Sequence, residues 1–158
     1  MMELLTALEG SAFAIWLREA PTVWAYPTIL TLHTVGLAVL VGGNAAVDLR
    51  VLGFGSQIAL APMERFFPAM WIGFWINATS GVMLFTVDPT TKGVATVFMI
   101  KLAFIAAGVM LMVLLRRAVY GPGRDAAIVT SAAKTFAALS LLAWAAAIVA
   151  GRLQAYVL

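Results

Sequence analysis

Long apolar stretches separated by short polar turns dominate the chain. No Asp, Glu, Lys or Arg occurs between Glu19 and Asp48, and the apolar run of residues 23–47 exceeds the ~20 residues that cross about 30 Å of hydrocarbon. Residues 66–87 also lack these charges, and residues 94–115 carry one, Lys101. Residues 131–156 are apolar apart from Lys134 near one end and Arg152 near the other, where long side chains reach the interface. This pattern predicts four transmembrane helices. The breaks between them are polar turns, Asp88-Pro89-Thr90-Thr91-Lys92-Gly93 and Tyr120-Gly121-Pro122-Gly123-Arg124-Asp125. The longer segment 53–68 contains Glu64-Arg65 and reads as an interfacial loop, with Pro62 where a new helix starts.

Residues 2–19 follow a different rhythm. Leu4, Leu8, Ala12, Ile15 and Trp16 recur at helical spacing opposite Glu3, Glu9 and Arg18, which predicts an amphipathic helix lying on the membrane surface. Glu3 in place of a basic start, and the lack of a small-residue cleavage site, argue against a secretory signal. The expected fold is therefore all-α: a four-helix transmembrane bundle, one domain over residues 1–158, with an N-terminal interfacial helix.

Composition agrees. Of 158 residues, 63% are hydrophobic, and ten Lys and Arg with seven Asp and Glu are too few for the surface of a soluble domain. The net charge of +3 is spread over helix ends rather than gathered in a patch, which argues for membrane topology and against nucleic acid as partner. Arg50, Arg65, Arg116, Arg117, Arg124 and Lys134 fall in the first and third loops. Only Arg18, Lys92 and Arg152 flank the other side, so the positive-inside rule places both termini outside. Cysteine is absent, which excludes disulfides and thiol chemistry.

Polar residues inside spans are costly and point to function. His33, the only histidine, Asn77 and Lys101 all fall in the outer half of their spans, and Arg152 ends the fourth span on the same side. Together they form a candidate cofactor-binding site, with His33 also the candidate metal ligand. Each has a plainer reading: Lys101 snorkels to the interface, Asn77 bridges two helices, and His33 is a hydrogen-bond partner of Asn77 or of a carbonyl. Asp48, at the inner end of the first span, is expected to pair with a basic neighbour. Glycines at helical spacing (Gly36; Gly73 and Gly81; Gly108; Gly151) mark inward seams. No HExxH, GxSxG, GxGxxG or P-loop is present and no two carboxylates share a span, so an enzyme acting alone is not expected.

Leu32-His33-Thr34-Val35-Gly36, Gly42-Gly43, Asp48-Leu49-Arg50, Trp75-Ile76-Asn77 with Gly81, Lys101-Leu102, Trp144 and Gly151-Arg152 together resemble an uncharacterised family of small bacterial membrane proteins. More distantly the arrangement is similar to the copper-resistance protein D family and to four-helix haem-b membrane cytochromes. Those cytochromes clamp haem with several histidines, whereas here only His33 matches, so a second ligand would be a methionine (Met70, Met83, Met99 or Met110) or His33 of another copy. The resemblance implies the bacterial inner membrane and a redox-associated subunit, holding haem b at His33 or a quinone at His33, Asn77 and Lys101. A cofactor-free accessory subunit of a larger membrane complex, or a small ion or metal carrier, are the competing expectations. Expected partners are lipid and other membrane subunits or further copies of the chain.

Overall fold

The computed structural model describes residues 2–157. They form α1 (Met2–Glu9), α2 (Ala12–Glu19), α3 (Tyr26–Leu52), a 3-10 turn (Ala61–Arg65), α4 (Phe66–Phe85), α5 (Pro89–Lys92), α6 (Thr96–Tyr120) and α7 (Ser131–Val157), with no strand among them. Three helices, α3, α6 and α7, are long and apolar enough to cross a membrane. Their outward residues are as apolar as their inward ones: Val35 and Val39 on α3, Met110 on α6 and Leu142 and Val149 on α7 are exposed. A helix apolar all round belongs in lipid or in a large core, and a chain this short has no large core. The fourth long helix, α4, has 20 residues and no charge, but Pro68, Asn77, Thr79 and Ser80 lower its hydropathy.

Local chemistry explains where the helices begin and end. Gly53 closes α3 with φ of 110°, a left-handed conformation open to glycine, and the Phe54 N–H bonds the Leu49 carbonyl at 3.0 Å. Asp88 accepts from the Thr91 N–H at 3.4 Å ahead of Pro89 and starts α5, so the turn expected after the second apolar run contains a helical turn of its own. The Thr130 hydroxyl accepts from the Ala133 N–H at 3.2 Å at the start of α7.

One expectation fails here. Residues 2–19 are two helices rather than one. Gly10 interrupts the chain, and Ser11 starts α2 by accepting from the Ala14 N–H at 3.2 Å. A residue free of Cβ followed by a strong N-cap outweighs continuous apolar spacing. The break lets α1 fold against α5, where the Thr90 hydroxyl donates to Glu9, while Arg18 of α2 donates to the Val87 carbonyl at 3.3 Å. The N-terminal pair is thus tied to the α4–α6 connection.

The long helices pack as two antiparallel pairs, α3 with α4 and α6 with α7, joined where α3 meets α7. Leu40 and Val47 of α3, Phe67 and Met70 of α4, Met112 and Leu115 of α6 and Trp144 of α7 fill the shared core.

Candidate functional site

The α3–α4 pair is closest at Gly36 and Gly73. A Cβ on Gly36 would lie 2.7 Å from the Asn77 backbone nitrogen and 2.8 Å from the Gly73 carbonyl oxygen, and one on Gly73 would lie 2.8 Å from the Gly36 oxygen. Backbone-to-backbone approach of this kind requires glycine on both sides. It also brings together the side chains one turn outward. His33 Nδ1 lies 2.9 Å from the Asn77 carbonyl oxygen, and Asn77 Nδ2 donates to the His33 carbonyl at 2.8 Å. The two residues thus clasp each other's backbone across the helix contact.

A carbonyl oxygen only accepts, so Nδ1 carries the hydrogen, and the 3.3 Å approach of Asn77 Nδ2 to Nδ1 sets donor against donor. In the neutral imidazole the lone pair then sits on Nε2. No group among the described residues hydrogen-bonds Nε2. The Ser80 hydroxyl lies 3.2 Å from Nδ1 and donates to the Ile76 carbonyl at 2.6 Å. Gly81 leaves room for the ring, since a Cβ there would stand 3.1 Å from His33 Cε1.

Lys101, on α6, is half-buried, and its stem lies along α7 at Gly151, with Cε 3.4 Å from where a Cβ would be. Of the four expected site residues, His33 and Asn77 are in contact, while Lys101 belongs to the other helix pair and hydrogen-bonds neither of them. Arg152 does not join them. It is exposed near the C-terminal end of α7 and makes no hydrogen bond among the described residues.

On the lipid-facing side of this clasp is an apolar groove of about 400 Å³ between Leu32 of α3 and Trp75, Ile76, Thr79, Ser80 and Met83 of α4. Ser80 joins the groove to the imidazole. The Thr79 hydroxyl and the Trp75 indole N–H hydrogen-bond nothing among the described residues. Other helical threonines here, Thr31 and Thr34, donate to the carbonyl four residues back, at 2.8 and 2.9 Å. Of the four methionines considered as haem ligands, Met83 alone lines this groove; Met70 is buried against Gly43, and Met99 and Met110 are exposed. No three His, Cys, Asp or Glu side chains among the described residues come close enough to hold a metal ion.

A second polar cluster occupies the α3–α7 contact. Asn44 Nδ2 donates to Asp48 Oδ2, its neighbour one turn along α3, and lies 2.7 Å from the Ser140 hydroxyl oxygen on α7. Asn44, Asp48 and Ser140 are at most 1% exposed. The basic partner expected for Asp48 is not there. The ion pairs among the described residues are Arg18–Glu19 and Arg116–Glu64, and Arg50 turns away to the Ser56 and Ile58 carbonyls. Asp48 points inward because the α3 face that carries Leu40 and Asn44 continues through it at four-residue steps. That spacing, with Ser140 and Trp144 equally spaced on the last span, was the available signal for the cluster.

No family model, no curated protein and no solved structure matches the chain.

Proposed function

We propose that the chain is a redox-associated subunit of the bacterial inner membrane with four spans and both termini outside, and that it binds a quinone-type headgroup in the groove beside His33. The fourth span is α4. It runs antiparallel to α3, with Met70 at the level of Gly43 and Gly81 at that of His33, and its 20 residues extend about 30 Å, the thickness of the hydrocarbon.

The observation that carries the ligand reading is a pair of unspent donors, the Thr79 hydroxyl and the Trp75 N–H, one turn apart beside an otherwise apolar groove. The groove is open along one side, its walls include the exposed Trp75 and Leu32, and it suits the edge of a single ring system with its tail in lipid. A quinone carbonyl accepts from such donors. His33 supports the same reading, since Nε2 can accept from the hydroxyl of the reduced form.

A second reading has its own support. Ligating histidines commonly hold their other nitrogen on a carbonyl, as Nδ1 does here on Asn77, and that frees Nε2 for haem iron. Met83, or His33 of a second copy, would supply the other ligand, and the group would bring one-electron chemistry.

Titration of purified protein in lipid with a short-chain quinone, followed by tryptophan fluorescence, tests the first reading. Saturable quenching is expected, with affinity about tenfold weaker in Thr79→Val, since one lost hydrogen bond is worth about 1.4 kcal/mol. A Soret band that disappears in His33→Gln would select haem instead. A colourless protein that quenches without saturation leaves the cofactor-free accessory subunit.

A further inference from the structure

Asp48 is the one carboxylate among the described residues with no exposed surface (0%), and one of its oxygens, Oδ1, has no hydrogen-bond partner. Its other oxygen accepts from Asn44. On α3 its buried neighbours Val47 and Val51 belong to the apolar core of the bundle. The titratable groups on the elements around this end of α3 are Arg50, Glu64, Arg65, Arg116, Arg117, Tyr120 and Lys134. Glu64 pairs with Arg116 at 3.2 Å, the Tyr120 hydroxyl donates to the Leu60 carbonyl at 2.9 Å, and none of the seven ion-pairs or hydrogen-bonds with Asp48.

A buried carboxylate requires a positive partner, and no basic side chain among the described residues supplies one. Oδ1 of Asp48 has no partner, and the Ser140 hydroxyl oxygen, which accepts from Asn44 Nδ2, keeps one further lone pair. We propose that Asp48, Asn44 and Ser140 form a binding site for one monovalent cation, a proton or a sodium-sized ion, which enters from the end of the bundle where Gly53 closes α3. The shared chemistry is a single positive charge taken up by oxygen atoms, and the site is independent of the His33 groove, about 22 Å away along α3 at 1.5 Å for each of 15 residues.

The two occupants are separated by experiment. Melting midpoints of the wild type, Asp48→Asn and Ser140→Ala in detergent are followed against sodium at fixed pH with choline as replacement. They are then followed against pH, from about 5 to 8, without sodium. If sodium is bound, the wild-type midpoint keeps rising with the logarithm of the sodium concentration, Asp48→Asn is flat, and Ser140→Ala needs on the order of tenfold more sodium for the same rise. If a proton is bound, the wild-type midpoint changes with pH in a way that Asp48→Asn does not, and sodium has no effect. Identical responses in wild type and Asp48→Asn overturn the proposal. Should Asp48→Asn not fold, equilibrium dialysis with radioactive sodium and the infrared carboxylic-acid band of the wild type decide, and the absence of both overturns it.

Discussion

Gly36→Ala is the smallest change that tests how α3 and α4 are held together. The added methyl would lie 2.7 Å from the Asn77 nitrogen, whereas ordinary contact begins near 3.4 Å, so the two backbones must separate by roughly 0.7 Å. Both neighbours at that point are main-chain atoms, so no rotamer change relieves the overlap. The same separation stretches the 2.8 and 2.9 Å bonds between His33 and Asn77 toward the limit of hydrogen bonding. Overpacking of this kind costs about 1–3 kcal/mol. Two interhelical bonds in a membrane add about 0.6 kcal/mol each on average. The gain in helix propensity from Gly to Ala, about 1 kcal/mol, offsets part of the loss. The expected net destabilisation is about 1–3 kcal/mol, read from equilibrium unfolding in mixed micelles by circular dichroism. Gly42→Ala, where nothing lies within 4 Å, is the control and should be neutral or stabilising by up to ~1 kcal/mol. If Gly36→Ala unfolds together with Gly42→Ala, the helices are not held at backbone contact and the argument fails. In the Gly36→Ala background, Asn77→Ala should cost much less than in the wild type, because its bonds are already strained.

Gly108→Ala should lose about 1–3 kcal/mol and alter the near-ultraviolet dichroism of Trp144, whose ring stands 2.7 Å from the new methyl, whereas Gly43→Ala meets only the flexible Met70 chain and should lose less. For topology, Thr91→Cys should react with a membrane-impermeant thiol reagent on intact cells and Arg124→Cys only on opened membranes. The chain has no cysteine of its own, and the reverse pattern would invert the orientation.

Which residues meet at the candidate site was only partly readable from sequence. His33, Asn77 and Lys101 stand out because polar groups in apolar runs are few, and their depth follows from 1.5 Å per residue. That His33 uses Nδ1 on a carbonyl and keeps Nε2 free depends on the azimuth of two helices, which one strand of sequence does not contain. Arg152 has the same depth as the others yet lies apart, since depth says nothing about which way a side chain turns. Thr79 and Trp75 carried no signal of their own, because a threonine and a tryptophan in an apolar helix have plain structural uses.

Apolar run length and the polar breaks by themselves determined that the chain is helical and lipid-facing, since hydrocarbon forces every backbone group into intrahelical bonds and leaves few alternatives to long helices. Local chemistry that acts over a few residues, such as Gly53 at the end of α3 and Asp88-Pro89 at the start of α5, was equally legible. Only the tertiary structure decided that α1, freed by the local break at Gly10 and Ser11, folds onto α5. Only it decided that Asp48 turns away from every basic side chain into Asn44 and the α3–α7 contact. The physical reason is the same in both cases. Periodicity specifies which residues share a face, but the partner of that face is chosen by packing between segments far apart in the chain, here across the 96 residues from Asn44 to Ser140.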